Sequence, residues 1–538
     1  MRLGWLDRVI FDLGRQFRWS FLPPLMIYFA AGASGLTAVV GTFFVKEYLD
    51  VSAAFIAGLA FWAGLPWALK MPLGHLVDLI WRWKSLLIFA GAALITASFL
   101  IMYALATRHP ILNGVMSQTS WYVLAMLLAP LGYVVQDSVA DAMSVEAVPQ
   151  SDANGQAFDA ASIKTMHTTM QTLGRIALIS GASAVALLNI VLFSGIELLP
   201  DGERTSVYGQ IYRLALMIPL LSISGVFVAA YQKRSAIRNL VVSGLDRAAA
   251  IARFERPGAP MKLNHWYFTG GAVFVVMTLS VGLSDVAYAQ EIVFAGSMII
   301  VLTLMRQLIR ALDADKARML VGTAVIIFMF RAVPLPGAGA TWFEIDILGF
   351  DQQFLSVLYL ITSVLTLAGM IVLRPMIASK TISQIVILLT LAAGVLSLPN
   401  IGLYYGLHHW TAALTGGIVD AQFIAIIDVA VESPLGQIAM IPMLAWIARN
   451  APNNLKATFF AVMASFTNLA LSASSLGTKY LNQMFSVTRE VRDQAGAITT
   501  SADYTQLGIL LIVVVVITVA LPLTTIFLVQ NSRLRTDE

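Results

Sequence analysis

The residues best placed to do chemistry lie in the run Gln136 to Glu146, QDSVADAMSVE. It sits inside an apolar stretch, from about Trp121 to Val148, long enough to cross a bilayer as a helix. Asp137 and Asp141 are one helical turn apart and share a face. Carboxylates at that depth are costly unless they are paired or face a water-filled cavity. After a polar break, PQSDANGQ, a second apolar stretch carries Lys164, His167, Gln171 and Arg175. Their spacing makes one polar stripe on a helix. Folding the two stretches back to back around Asn154 and Gly155 puts Glu146 level with Lys164, Asp141 with Gln171 and Asp137 with Arg175. The expectation is acid–base pairing, Asp137 with Arg175 and Glu146 with Lys164, within a membrane. Lys164, Gln171 and Arg175 become candidates for binding an anionic substrate. His167 reads as a hydrogen-bonded structural residue.

Other side chains extend this chemistry. Lys70 either binds a substrate carboxylate or pairs with one of the acids just described. Arg331 precedes AVPLPGAGA, whose prolines and glycines should break a helix. Broken helices in membranes line cavities, because their freed backbone groups need partners, and a guanidinium can grip a carboxylate through two parallel hydrogen bonds. Asp428 and Glu432, again one turn apart and in the middle of a span, disfavour joint ionisation. Apolar surroundings favour the protonated carboxyl and a nearby cation the ionised one. Asp137, Asp141, Asp428 and Glu432 are therefore proton-coupling candidates, with Asp428 and Glu432 foremost and Arg331 as their gate. Asn468 is a candidate hydrogen-bond donor to substrate or to a neighbouring helix. Cysteine is absent, which excludes thiolate metal sites and thiol nucleophiles. GLHHW at Gly406 to Trp410 lacks ligand geometry, and no phosphate-binding Gly-Lys-Ser/Thr loop appears. No cofactor, no metal, no nucleic-acid partner and no enzymatic activity are expected.

The elements that must position these residues follow from hydropathy. Hydrophobic residues make up 58% and charged residues 12% of the chain, with mean hydropathy +0.79; a soluble domain carries about 25% charged residues. The fold class is therefore all-α and polytopic, with about fourteen transmembrane helices. Apolar spans fall near 19–46, 53–80, 84–107, 121–148, 158–192 and 209–231. A pair follows near 265–287 and 289–310, then six more near 318–348, 353–374, 381–405, 411–447, 456–484 and 505–530. Residues 1–18 place Leu3, Leu6, Ile10, Leu13 and Phe17 on one face, as an interfacial amphipathic helix would. Most of the 34 Lys and Arg residues fall on the side of the N-terminus, so both termini are expected in the cytoplasm, with the chain in the inner, cytoplasmic membrane.

Two segments repeat. FVKEYLDVSAAFIAGL from Phe44 aligns with FEIDILGFDQQFLSVL from Phe343, and DSVAD at Asp137 with DVAVE at Asp428, each roughly 300 residues later. The expected domains are two six-helix bundles, 19–231 and 318–530. A cytoplasmic loop at 232–263 and an inserted helical pair at 264–311 separate them, and a short tail follows at 531–538. Parallel halves with the site between them are the architecture of major facilitator transporters. Gly74, Asp78, Arg82 and Lys84 in GHLVDLIWRWK resemble the gating loop motif of that superfamily, although Trp81 stands where a second glycine is usual.

LPWALKMPLGHLVD, from Leu65 to Asp78, is similar to the signature of the folate–biopterin transporter family, with Met71 inserted between Lys70 and Pro72. QDSVADAMSVE resembles that family's fourth helix, and APNNLKATFFAVMASFTNLALSASSLG, Ala451 to Gly477, its eleventh. The resemblance covers both halves but not 232–311. The fourth helix also resembles AmpG-type muropeptide permeases and, more distantly, bacteriochlorophyll-delivery proteins. The resemblance implies a secondary transporter for an organic anion, folate- or pterin-like, coupled to protons by alternating access. The alternatives are a muropeptide-type permease and a pigment-delivery or assembly factor on the same fold.

Overall fold

The computed structural model describes residues 17–49, 51–68, 70–80, 83–112, 114–149, 158–252, 265–282, 284, 286–310, 312–372, 381–436, 456–492 and 498–536. Nearly all of them are helical. The first span is α1 (Leu22–Ala33) and α2 (Ala38–Tyr48), joined through a 3-10 turn at Ser34–Thr37. The second is α3 (Ala53–Ala68) and α4 (Lys70–Leu79). Then come α5 (Lys84–Ala106), α6 (Gln118–Glu146) and α7 (Ala160–Leu192). The sixth span comprises α8 (Asp201–Ala215) and α9 (Met217–Val242). α10 (Arg247–Ala252) lies in the connecting segment, and α11 (His265–Gly282) and α12 (Ala289–Ile309) are the inserted pair.

The second half begins with α13 (Ala314–Arg331) and α14 (Ala338–Asp346), separated by the expected proline break. It continues with α15 (Gln352–Val372), α16 (Ile382–Leu396), α17 (Leu398–Tyr404), α18 (Leu407–Thr415) and α19 (Ala421–Gly436). It ends with α20 (Lys456–Met484), a small antiparallel hairpin of β1 (Val491–Arg492) and β2 (Ile498–Thr500), and α21 (Leu507–Gln530). Among the described residues nine helices are long and apolar enough to cross a membrane, with Ala53–Ala68 and Thr269–Gly282 shorter. Breaks in the chain shorten several of the expected spans. The span expected near 318–348, the seventh if the inserted pair is left out, is cut by Pro334 and Pro336; the tenth on the same count, near 411–447, starts at Ala421, after Gly416 and Gly417 with positive φ. The segment expected as a loop from 232 is helical to Val242. Residues 1–16, where the amphipathic helix was expected, lie outside the described set.

Two kinds of contact organise the bundle. Within the first half, glycines let helices touch backbone to backbone. A Cβ on Gly32 would stand 1.8 Å from the Leu178 carbonyl oxygen, and one on Gly181 would stand 2.2 Å from that of Phe29; these pull α7 onto α1. Gly91 and Gly132 do the same for α5 and α6, each 2.6–2.7 Å from the other's carbonyl by the same measure. Between the halves, α3 packs along α20 and α7 along α15. The inserted pair covers the first of these seams: α12 lies on α20 and α3, and α11 on α4. At one end, here called the near end, the tail folds back. Thr536 shares a 2.9 Å hydroxyl contact with Ser383, and Gln530 donates to both. The opposite, far end carries the β1–β2 hairpin.

Candidate functional site

The first cluster forms where α4 begins. Lys70 Nζ lies 2.6 Å from Asp137 Oδ2 and 2.8 Å from Asp141 Oδ2. Tyr28 Oη, from α1, donates to Asp141 Oδ1 at 2.7 Å. One ammonium thus serves two carboxylates one turn apart on α6, and a phenol takes a further lone pair. Asp137 is 14% exposed and Asp141 45%, so Asp141 is the member that opens toward a cavity. Neighbouring Gln136 is structural: its amide donates to the Ile88 carbonyl at 3.0 Å and ties α6 to α5.

This corrects the pairing expected from the sequence. In this structure Asp137 pairs with Lys70 rather than Arg175, and Glu146 pairs with Lys84 at 2.7 Å. The reason is packing. α6 and α7 adjoin in sequence but barely touch; α6 packs on α5, α3 and α4, and α7 on α1 and α15. Of the two readings open for Lys70, pairing with an acid of the fourth span is the one observed. The side chains of Lys164, His167 and Gln171, and the expected gating-loop side chains of Gly74 and Asp78, lie outside the described set, as does Arg82; Lys84 is described through its Glu146 pair.

Arg175 is exposed on α7 and close enough to Asp137 and to Arg331 for their charges to act on one another. Arg331 is the last residue of α13, in the other half. Two guanidiniums from opposite halves therefore lie within electrostatic reach of each other. Among the described residues neither forms an ion pair. Arg331, expected as the gate to Asp428 and Glu432, makes no ion pair with Asp428 among the described residues. Asp428, 5% exposed, accepts from Asn400 Nδ2 at 2.9 Å and lies within electrostatic reach of Glu344 on α14. It stands two turns inside α19, at the middle of Ala421–Gly436. The side chain of Glu432 lies outside the described set. Asn468 Nδ2 donates to the Trp67 carbonyl at 3.2 Å, a bond between halves made three residues before Lys70.

Sequence reasoning missed Tyr28, Glu344, Asn400 and Arg489. Tyr28 and Asn400 sit alone in apolar surroundings with no spacing that marks them. Glu344 lies in the repeat opposite Val45, where no acid matches it. Arg489 had one available signal, a basic residue on the side of the membrane where basic residues are scarce.

A profile of the BT1 family matches residues 216–538, and so takes in the inserted pair, which the resemblance read from the sequence left out. The folate-biopterin transporter of Synechocystis sp. is 23% identical over 463 residues, covering 85% of this chain and 74% of that protein. A POT family transporter solved in complex with 5-aminolevulinic acid superposes with a TM-score of 0.60 at 12% identity, over 97% of this chain and 96% of that one. A mutant of the peptide transporter POT gives 0.58 at 14% identity, over 97% and 95%. The likeness to the solved structures is one of fold, and it is the major facilitator fold expected from the sequence.

Proposed function

This chain belongs to the BT1 family, and from that membership we propose that it is a secondary active transporter moving an organic anion, folate- or pterin-like, across the cytoplasmic membrane by alternating access. The observation that carries the reading is that Arg175 and Arg331, from opposite halves, lie within electrostatic reach of each other, and neither forms an ion pair among the described residues. Like charges that face each other repel, and an anion bridging them removes that repulsion. A folate-type carboxylate offers two oxygens to each fork. Binding there would draw the two halves together, which is a differential interaction between states and so can drive the change.

Proton coupling follows from the adjoining cluster. Lys70 supplies one positive charge to the two carboxylates Asp137 and Asp141, and Arg175 supplies a second from nearby. A substrate carboxylate that engages Arg175 weakens its hold on Asp137. A proton taken up by the paired carboxylates then restores balance, and anion and proton load together. Asp428 with Glu344, and Glu432 one turn beyond, form the second place able to carry a proton. Lys164, Gln171 and Asn468 complete the proposed substrate surface.

The experiment is uptake of labelled folate, pterin and muropeptide into proteoliposomes, each with and without an inward proton gradient. Folate or pterin accumulation that rises with the gradient and falls at least ten-fold in Arg175→Gln and Arg331→Gln is the expected result. Accumulation of muropeptide alone moves the substrate to the alternative permease reading. No accumulation of any solute by correctly folded protein would favour a delivery factor.

A further inference from the structure

Spans 1 and 7 are both interrupted, and the two interruptions are held in the same way. In span 1 the chain tightens to a 3-10 turn at Ser34–Thr37, and the Leu36 carbonyl accepts from Asn189 Nδ2 of α7 at 3.1 Å. In span 7 the chain leaves helix after Arg331, and the Pro336 carbonyl accepts from Asn482 Nδ2 of α20 at 3.0 Å. A broken helix frees carbonyls that, once buried, need donors. Each asparagine comes from the fifth helix of its own half. Asn189 is 2% exposed and Asn482 5%, and each leaves its Oδ1 buried with no partner among the described residues. The paired positions are separated by the same roughly 300 residues as the sequence repeat.

Beyond the pinned breaks lie two short far-end segments, α2 with 11 residues and α14 with 9. Their tips meet: Lys46 Nζ is 2.5 Å from Asp346 Oδ1, and Tyr504 donates to the other oxygen of the same carboxylate at 2.5 Å. Arg489, in the loop after α20 and 3% exposed, closes over them. Its guanidinium donates to the carbonyls of Lys46 at 2.6 Å, Val51 at 2.9 Å and Val45 at 3.1 Å, and it stacks on Trp342 of α14 at 4.8 Å. A single side chain from the second half thereby caps the end of α2 in the first.

We propose that α2 and α14 are the two leaves of a far-end gate, that Asn189 and Asn482 are equivalent hinge pins, and that Arg489 is the latch that holds the leaves shut in this structure. The proposal deepens the alternating-access reading and rests on it. The pins fix the breaks and leave the leaves to be held by the latch. A leaf of about ten residues is a ~15 Å arm, so a modest tilt at the pin opens the tip by several ångströms. Leu36 and Pro336 keep their backbone bonds throughout, which makes the motion a pivot and not local unfolding.

The test needs no substrate, so its outcome is independent of the uptake assay. The chain has no cysteine. Ala53 begins α3, is 2% exposed and packs with Trp342 and Phe343 behind the gate. Ala53→Cys reports gate opening by its rate of reaction with a hydrophilic maleimide in nanodiscs. Slow labelling is expected in the Ala53→Cys protein, at least ten-fold faster labelling when Arg489→Gln is added, and faster labelling of similar size with Asn189→Ala or Asn482→Ala. A merely structural role would lower melting temperature and leave the labelling rate of the folded protein unchanged. Unchanged labelling in Arg489→Gln, or opposite effects of the two asparagine changes, overturns the proposal. Arg489→Lys, Asn189→Ser and Asn482→Ser decide the question in the same way where the first variants do not fold.

Discussion

Lys70 holds two carboxylates with one charge, and its energetics follow from where each group lies. Breaking a fully buried ion pair by removing one partner costs about 3–5 kcal/mol. Here Lys70 is 22% exposed and Asp137 14%, so water offsets part of that loss. The pairing itself is measurable as coupling. Lys70→Met and Asp137→Asn, made singly and together, should show a coupling energy of about 0.5–3 kcal/mol in thermal or denaturant unfolding. The pair Asp137→Asn with Arg175→Gln should couple more weakly, because Arg175 acts on Asp137 without an ion pair in this structure. Stronger coupling in the second cycle than in the first would place Arg175 as the main partner and return the site to the pairing read from the sequence. Tyr28→Phe removes the donor to Asp141 while keeping the ring that packs on Gly174.

At the level of elements, the glycine contacts decide which helices are neighbours. A methyl group on Gly32 collides with the Leu178 backbone, whereas on Gly35, three residues later, it comes no closer than 3.8 Å to Val185. Gly32→Ala should therefore lower stability by about 1–3 kcal/mol or more, since backbone must move, and Gly35→Ala by much less. Melting curves of the two variants check this; similar losses would mean that α1 and α7 are not in close backbone contact. The same contacts explain what the sequence could reveal. Apolar runs and their punctuation located the helices, and the prolines after Arg331 located the break in span 7. The acids and bases were identifiable as intramembrane charges. Their partners were not, because level matching treats neighbours in sequence as neighbours in space. The glycines that send α7 to α1 and α6 to α5 carry no spacing signal strong enough to rank above that assumption. Lys84 looked like one more basic residue in a near-end turn, yet it is the partner of Glu146.

On the scale of the whole molecule, the inserted pair is attached to both halves at once. Gln290 donates to the Gly58 carbonyl of α3 at 3.1 Å, and Glu291 accepts from Lys479 at 3.1 Å and from Tyr480 at 2.5 Å, both on α20. Under the proposed alternating access, rocking of α3 against α20 would stretch or release one of these ties in each cycle. The pair is also short. α11 has 18 residues and α12 has 21, about 27 and 32 Å of helix, close to the ~30 Å of a bilayer core. α6 and α7, with 29 and 33 residues, have length to spare and can tilt to meet a thicker or thinner bilayer. A brace of about bilayer length has less such freedom, so under the proposed cycle bilayer thickness would bear directly on a strut that ties α3 to α20. Lipid would then act as an effector of turnover. Transport rates in vesicles of graded acyl-chain length should pass through a maximum, and combining Gln290→Ala with Glu291→Gln should flatten it. A flat profile in the parent protein would show that the strut bears no load, while the bilayer's elasticity would otherwise set the tempo of the cycle.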